Sequence, residues 1–269
     1  MQTPPPSARP QSLGPQTLAR AMTLLRIVAE SGYRGATVDD FLCQTELSRT
    51  TVYRLLQGLR QEGFLRSGQE RGRYYLGYEL LVLGSKAGNG SGLRELARPC
   101  LLRLAEQLGD SFFLFIRDGY YAICLEVQHG RYPVASFARS IGGRMPLGVG
   151  QASIALLADL NTAECAHILE HNAPRLAREY AIDTRAILAE IEHLRTQGFA
   201  RGVESSGLPE YTGLALPIID HSGHPMGALS CSMLKSRKTP QHQEQIIGAM
   251  KNEIATMVQQ ARGLISLEE

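Results

Sequence analysis

The chain has 269 residues, with 28 Lys+Arg against 26 Asp+Glu and a net charge of +2. Hydrophobic residues are 43% and charged residues 20%, the balance of a globular chain long enough for two domains and a full core. Near neutrality excludes a histone-like basic coat, and no run reaches the roughly 18 apolar residues of a membrane span.

The first ten residues hold four prolines and no apolar run. A disordered arm over residues 1–14 is expected there, and no secretory leader. The first helical pattern runs from Pro15 to Ser31, with Leu18, Ala21, Leu25 and Val28 on one face. Gly32 and Gly35 break it. Thr37, with Asp40 three residues on, is a capping pair that opens a short helix from Val38 to about Thr45. Its inward residues are Phe41 and Leu42. Ser48 is a second N-cap, opening a helix from Arg49 to about Glu62, in which Val52, Leu55, Leu56 and Leu59 fall at i, i+3, i+4 and i+7. Two short strands, Phe64–Arg66 and Tyr74–Leu76, flank a polar tip. Helix, helix, turn, helix, hairpin is the order of a winged helix-turn-helix. A further helix from Tyr78 to about Lys86 is expected to turn Leu81 and Val82 inward.

Gly88-Asn89-Gly90-Ser91-Gly92 is the strongest linker signal. Beyond it, eight positions from Leu93 to Leu108 keep one apolar face. Strands are expected at Ser111–Ile116, Tyr120–Val127, Tyr132–Phe137, Phe199–Glu204, Thr212–Ile219 and Met226–Ser232. Helices are expected at Gly150–Asp159, Thr162–Glu170, Asp183–Gln197 and Gln241–Arg262. Strands at both ends with helices between them make an α+β domain.

The polar face of the Arg49–Glu62 helix carries Arg49, Thr50, Thr51, Tyr53, Arg54 and Gln57, beside the cap Ser48. Arg pairs bidentately with guanine and Gln with adenine, while Thr reaches a phosphate or a thymine methyl. Arg71 and Arg73 sit in the wing tip, where a cation reaches phosphate or minor groove. Residues 1–91 hold 11 Lys+Arg and 7 Asp+Glu, a net of +4, and residues 92–269 hold 17 and 19, a net of −2. The small total thus hides a basic head and a mildly acidic remainder. A double-stranded DNA partner fits the basic head.

The stretches Thr37–Phe41, Leu47–Leu56 and Glu62–Leu65 resemble the IclR family of bacterial transcriptional regulators. So do Tyr75–Gly84, Gly142–Leu147, Ala155–Ala158, Gly213–Ile218 and Ala228–Ser232. The resemblance covers nearly all of the chain after the arm. It implies an α+β architecture: a winged helix-turn-helix over 15–77, a linker helix and Gly-rich linker over 78–92, and a GAF-like domain over 93–265. That last domain would hold an antiparallel sheet flanked by helices, bind an effector and oligomerise. The resemblance also implies a palindromic operator bound by a dimer or a dimer of dimers. The effector implied is a small organic acid or aromatic catabolite. Gly148 stands where the family often has His, and Gln151 and Ser153 stand where small residues are usual.

By the same resemblance the effector would meet the loop and helix start from Met145 to Ala152 and the last strand. Ser230 and Ser232 alternate with Cys231, so both hydroxyls share one strand face. Gln151 offers an amide, and the N–H groups of Gln151 and Ala152 near a helix start suit a carboxylate. Phe137 and Met145 are apolar walls. Gly213 allows close approach, and Glu204 accepts from a hydroxyl or sits at the rim.

No cofactor, metal site or catalytic motif is expected, and no membrane. His167 and His171 stand at i, i+4 but without the HExxH order, so a solvated helix face is the expectation. The five cysteines (Cys43, Cys100, Cys124, Cys165 and Cys231) are odd in number with no CxxC pair. They suggest reduced thiols in a cytoplasmic protein rather than a disulfide framework. Two other readings stay open: a redox- or metal-sensing regulator on the same scaffold, and an enzyme with a protein-docking winged helix.

Overall fold

A computed structural model describes residues 13–68, 70, 72–88, 92–134, 137–138, 140–203 and 208–265. The expected arm therefore lies outside the described residues except Leu13 and Gly14, which already belong to the first helix. The chain forms two compact units, Met1–Ala87 and Gly88–Glu269.

In the first unit, α1 (Leu13–Ser31), α2 (Val38–Gln44) and α3 (Arg49–Gln61) enclose a small core. It holds Leu24, Leu25, Ile27 and Val28 of α1, Phe41 of α2, and Val52, Leu55, Leu56 and Leu59 of α3. Both predicted caps form. Asp40 Oδ2 accepts from the Thr37 backbone N–H at 2.7 Å while Thr37 Oγ1 accepts from the Asp40 N–H at 3.3 Å. Ser48 Oγ accepts from the Thr51 N–H at 3.3 Å.

The wing has three strands, β1 (Ala36–Thr37), β2 (Leu65–Ser67) and β3 (Arg73–Leu76), in the order β1-β3-β2. The first strand was not expected. It is two residues long, too short for an alternation, and exists because Ala36 and Thr37 pair with Tyr74 and Arg73.

Three expected inward residues face out. Leu18 is 61% exposed, because α1 buries its later turns. In α4 (Glu79–Gly88) Leu81 is 70% exposed and Val82 is exposed too, while the adjacent Leu80 packs on the core.

The second unit is built on one six-stranded antiparallel sheet in the order β6-β5-β4-β9-β8-β7. The strands are β4 (Ser111–Asp118), β5 (Tyr121–His129), β6 (Arg144–Pro146), β7 (Ala200–Arg201), β8 (Tyr211–Ile219) and β9 (Pro225–Leu234). Helices α5 (Leu93–Leu108) and α9 (Pro240–Ile265) pack on one face. Helices α6 (Gly150–Ala158), α7 (Thr162–Arg175) and α8 (Thr184–Gln197) contribute to the core on the other. Strand alternation sorts the side chains. Phe112, Leu114, Leu229 and Cys231 join the α5/α9 core, and Phe113, Phe115 and Ala228 join the α6 core. Coverage on both faces explains why β4 reads as a continuous apolar run.

None of the described residues of the expected strand Tyr132–Phe137 lies in a strand. Tyr132 to Val134 and Phe137 lie in a connecting segment, and Arg144–Pro146 is the strand that pairs with β5. Pro133 has no N–H to give a ladder, and Tyr132 is held elsewhere, its ring 4.1 Å below the Arg237 guanidinium. Helix α7 runs past Glu170 to Arg175 and into a wider turn, Leu176–Tyr180. Among the described residues, the strand expected over Phe199–Glu204 is only Ala200–Arg201.

Candidate functional site: an exposed helix face and a cavity

The buried stripe of α3 leaves its opposite face in solvent. Arg49, Thr50, Tyr53, Arg54 and Gln57 are exposed and Thr51 is half-buried. Their availability differs. Arg49 donates to Asp39 at 2.9 Å, an exposed pair that costs little to break. Thr51 shares its hydroxyl with Ser48 at 2.9 Å, so these two residues begin as a helix cap. Arg54 has no ion pair among the described residues. Arg73 is turned back onto its own unit, donating to Glu70 at 2.5 Å and to the Arg34 carbonyl at 3.1 Å. Arg66, in the same basic stretch, lies over the rings of Tyr75 and Tyr78 at 5.1 and 5.5 Å. Arg71 lies outside the described residues.

In the second unit a cavity of about 460 Å³ opens between α6, the Ser230/Ser232 face of β9 and the start of β8. Phe137, Met145, Gln151, Ala152, Gly213, Ser230 and Ser232 all line it. Glu204 lies outside the described residues. The α6 N-terminus enters the cavity with Gly150, Gln151 and Ala152, and its N-cap, Val149, has no side chain to cap it. Those first-turn N–H groups and the helix dipole suit an anion. The Gln151 amide is not free as expected. It is turned onto β9, donating toward Ser232 Oγ at 2.9 Å, Cys231 O at 3.0 Å and Ser230 Oγ at 3.1 Å. Gly213 makes this possible, since a Cβ there would stand 2.2 Å from Gln151 Nε2.

Sequence reasoning missed the aromatic wall of Phe113 and Phe115 and the cations Arg201, Lys235 and Lys238. Arg201 is held by Glu190 through contacts of 2.8 and 3.2 Å. The alternation that aligned Ser230 with Ser232 also selects Phe113 and Phe115 once β4 is paired with β9, because Phe113 stands opposite Ser230. Nothing local announced that pairing.

Residues 17–68 match the family model of the IclR helix-turn-helix domain, and residues 86–259 match that of the bacterial transcriptional regulator IclR C-terminal region. The chain belongs to the IclR family. Among similar curated proteins, the HTH-type transcriptional regulator XynR of Escherichia coli is 28% identical over 229 residues, 82% of this chain and 87% of that protein. The acetate operon repressor of Salmonella typhimurium is 28% identical over 256 residues, 92% and 90% of the two chains. The IclR crystal structure from Thermotoga maritima aligns at a TM-score of 0.72 and 21% identity, over 91% of this chain and 98% of that one. An IclR homologue from Microbacterium hydrocarbonoxydans, crystallised with 4-hydroxybenzoate, aligns at 0.76 and 22% identity, over 92% and 99%. IclR proteins are transcriptional regulators with a helix-turn-helix and a ligand-binding C-terminal domain, not enzymes.

Other groups in this IclR chain are accounted for by packing. His167 and His171 are exposed, as expected of a solvated helix face, and both lie against Tyr120: His167 Nε2 is 3.0 Å from its hydroxyl, and His171 stacks on its ring at 3.8 Å. No cluster of metal-ligating side chains occurs among the described residues. Burial pushes the thiols of Cys100 and Cys124 up to about 12 and raises those of Cys165 and Cys231. Thiols held protonated are poor nucleophiles. No helix among the described residues is long and apolar enough to cross a membrane.

Proposed function

We propose that the protein is a cytoplasmic transcriptional regulator that binds a palindromic operator as a dimer or dimer of dimers and answers to a small organic acid. The cavity carries this reading. An uncapped helix N-terminus and two serine hydroxyls meet aromatic walls beside three cations, which is the chemistry of a carboxylate on an apolar or aromatic body. The 4-hydroxybenzoate bound by the Microbacterium homologue supports the same class.

On the DNA side, Arg49, Thr50, Tyr53, Arg54 and Gln57 read base edges, and Ser48 and Thr51 hold the helix start against the backbone. Arg73 reaches phosphate only by giving up Glu70. The acid acts by binding one arrangement of the paired reading heads better than the other. The buried, protonated thiols and the Tyr120-bound histidines favour this over redox or metal sensing.

The test is anisotropy of labelled DNA from upstream of the protein's own gene. Saturable binding with a steep salt dependence, altered by one of a panel of aromatic and short-chain acids, is expected. Binding of the same strength to unrelated DNA, unmoved by any acid, overturns the reading.

A further inference from the structure

The Gln151 amide decides what the polar end of the cavity accepts. Its Nε2 lies 3.0 Å from the Cys231 carbonyl oxygen. A backbone carbonyl only accepts, so the amide nitrogen and not the amide oxygen faces β9. An NH2 group carries two hydrogens. Cys231 takes one, and the other is shared between Ser232 Oγ at 2.9 Å and Ser230 Oγ at 3.1 Å. Both serine oxygens thus act as acceptors toward Gln151, and each keeps its own O–H proton for another direction.

That direction is the cavity. Among the described residues neither hydroxyl donates to a protein acceptor, and both residues line the cavity. Ser230 is 1% exposed, so a molecule in the cavity is the remaining outlet for its proton. The first-turn N–H groups of α6 enter the same space, and they too can only donate. A group that only accepts satisfies the two hydroxyls and these N–H groups together, and a group that must itself donate leaves them unpaired.

We infer that Gln151 is a specificity-determining residue: by donating to Ser230 and Ser232 it presents both hydroxyls as donors, so the cavity takes a carboxylate and rejects the isosteric carboxamide. The inference rests on the effector-site reading above and adds the discriminating group.

The experiment uses the full chain and two acid–amide pairs, benzoate with benzamide and pyruvate with pyruvamide, read by calorimetry. In the native protein at least one acid binds, and its amide binds about tenfold weaker or worse. Gln151→Leu keeps the volume and frees the serines to accept, so the acid-to-amide ratio falls toward one. Gln151→Glu draws both hydroxyl protons to itself and adds a like charge, so acid binding falls by more than the amide's. Ser232→Ala, at a less buried position, lowers acid binding about tenfold and leaves the amide nearly unchanged. Ligand-free melting curves establish that each variant is folded. If Gln151→Leu and Ser232→Ala both keep the native ratio, the inference falls while the effector site stands. If the native protein binds neither acid, the effector-site reading falls and takes the inference with it.

Discussion

Arg237, in the turn after β9, donates through Nε to Asp110 Oδ1 at 2.8 Å, at the start of β4. Asp110 is fully buried, and its other oxygen lies 2.6 Å from His242 Nε2 in α9. Arg237 also donates to the Leu108 carbonyl at 3.0 Å and stacks over Tyr132. The same turn carries Lys235, and Lys238 follows it, so this clamp anchors two of the cations that line the cavity. Removing one partner of a buried ion pair leaves the other uncompensated, and Asp110→Ala is expected to destabilise the second unit by about 3 kcal/mol. Urea unfolding measures it. Acid affinity should fall as well, because the cationic turn loses its anchor. Native-like unfolding of the variant removes the clamp from the account.

Arg54 is exposed on α3, without an ion pair among the described residues, whereas Arg73 is engaged by Glu70 and the Arg34 carbonyl. Arg54→Ala is therefore expected to weaken operator binding by about 1–3 kcal/mol, and any phosphate share of its contact shows as a salt slope lower by about one. Arg73→Ala should cost less in affinity. Titrations of both variants at several salt concentrations decide the matter, and equal losses contradict the ranking.

Asp159 caps the C-terminal end of α6, where the helix dipole disfavours a negative charge. Its Oδ2 is buried without a hydrogen-bond partner among the described residues, and burial pushes its carboxyl up to about 6, with Arg195 pulling partly back. A raised carboxyl means that the folded state holds the proton more tightly than the unfolded chain. Stability from this group is thus present at low pH and is lost as pH rises from about 4 through 6. Asp159→Asn removes the penalty. It should be more stable than the native chain at pH 7 by about 1–2 kcal/mol after solvent screening, with the gain vanishing near pH 4. A gain independent of pH refutes the assignment to this carboxyl.

Gly148 adopts φ +112°, and a Cβ there would stand 2.7 Å from Ile187 Cδ1 and 2.9 Å from Leu176 Cδ1. Gly148→Ala adds backbone strain to overpacking and should cost about 2–4 kcal/mol. A thermal midpoint equal to the native one contradicts it. The family's frequent His would meet the side-chain ends of Ile187 and Leu176 here.

Much of the first unit was legible. The caps Thr37 and Ser48 and the α3 stripe depend on residues within one or two turns of each other, and those energies act locally. The errors occur where a neighbour distant in sequence decides. Apolar Leu80 and Leu81 are adjacent, and only the docked helix selects Leu80. The Tyr132–Phe137 alternation resembled a strand, but the edge of β5 was taken by Arg144–Pro146. The two-residue β1 has no pattern of its own.

By itself the sequence determined most of the order of elements, the basic polarity of the first unit and the polar outer face of α3, because period and capping act over a few residues. It also placed Ser230 and Ser232 on one face, because strand alternation is geometric. Only the tertiary structure decided where the Gln151 amide ends, on hydroxyls 79 and 81 residues further along the chain. It also brought Phe113, Arg201 and Lys238 to the same cavity. Such convergence depends on the closure of long loops and on the pairing of β4 with β9. Those long-range contacts carry no local period for a sequence to display.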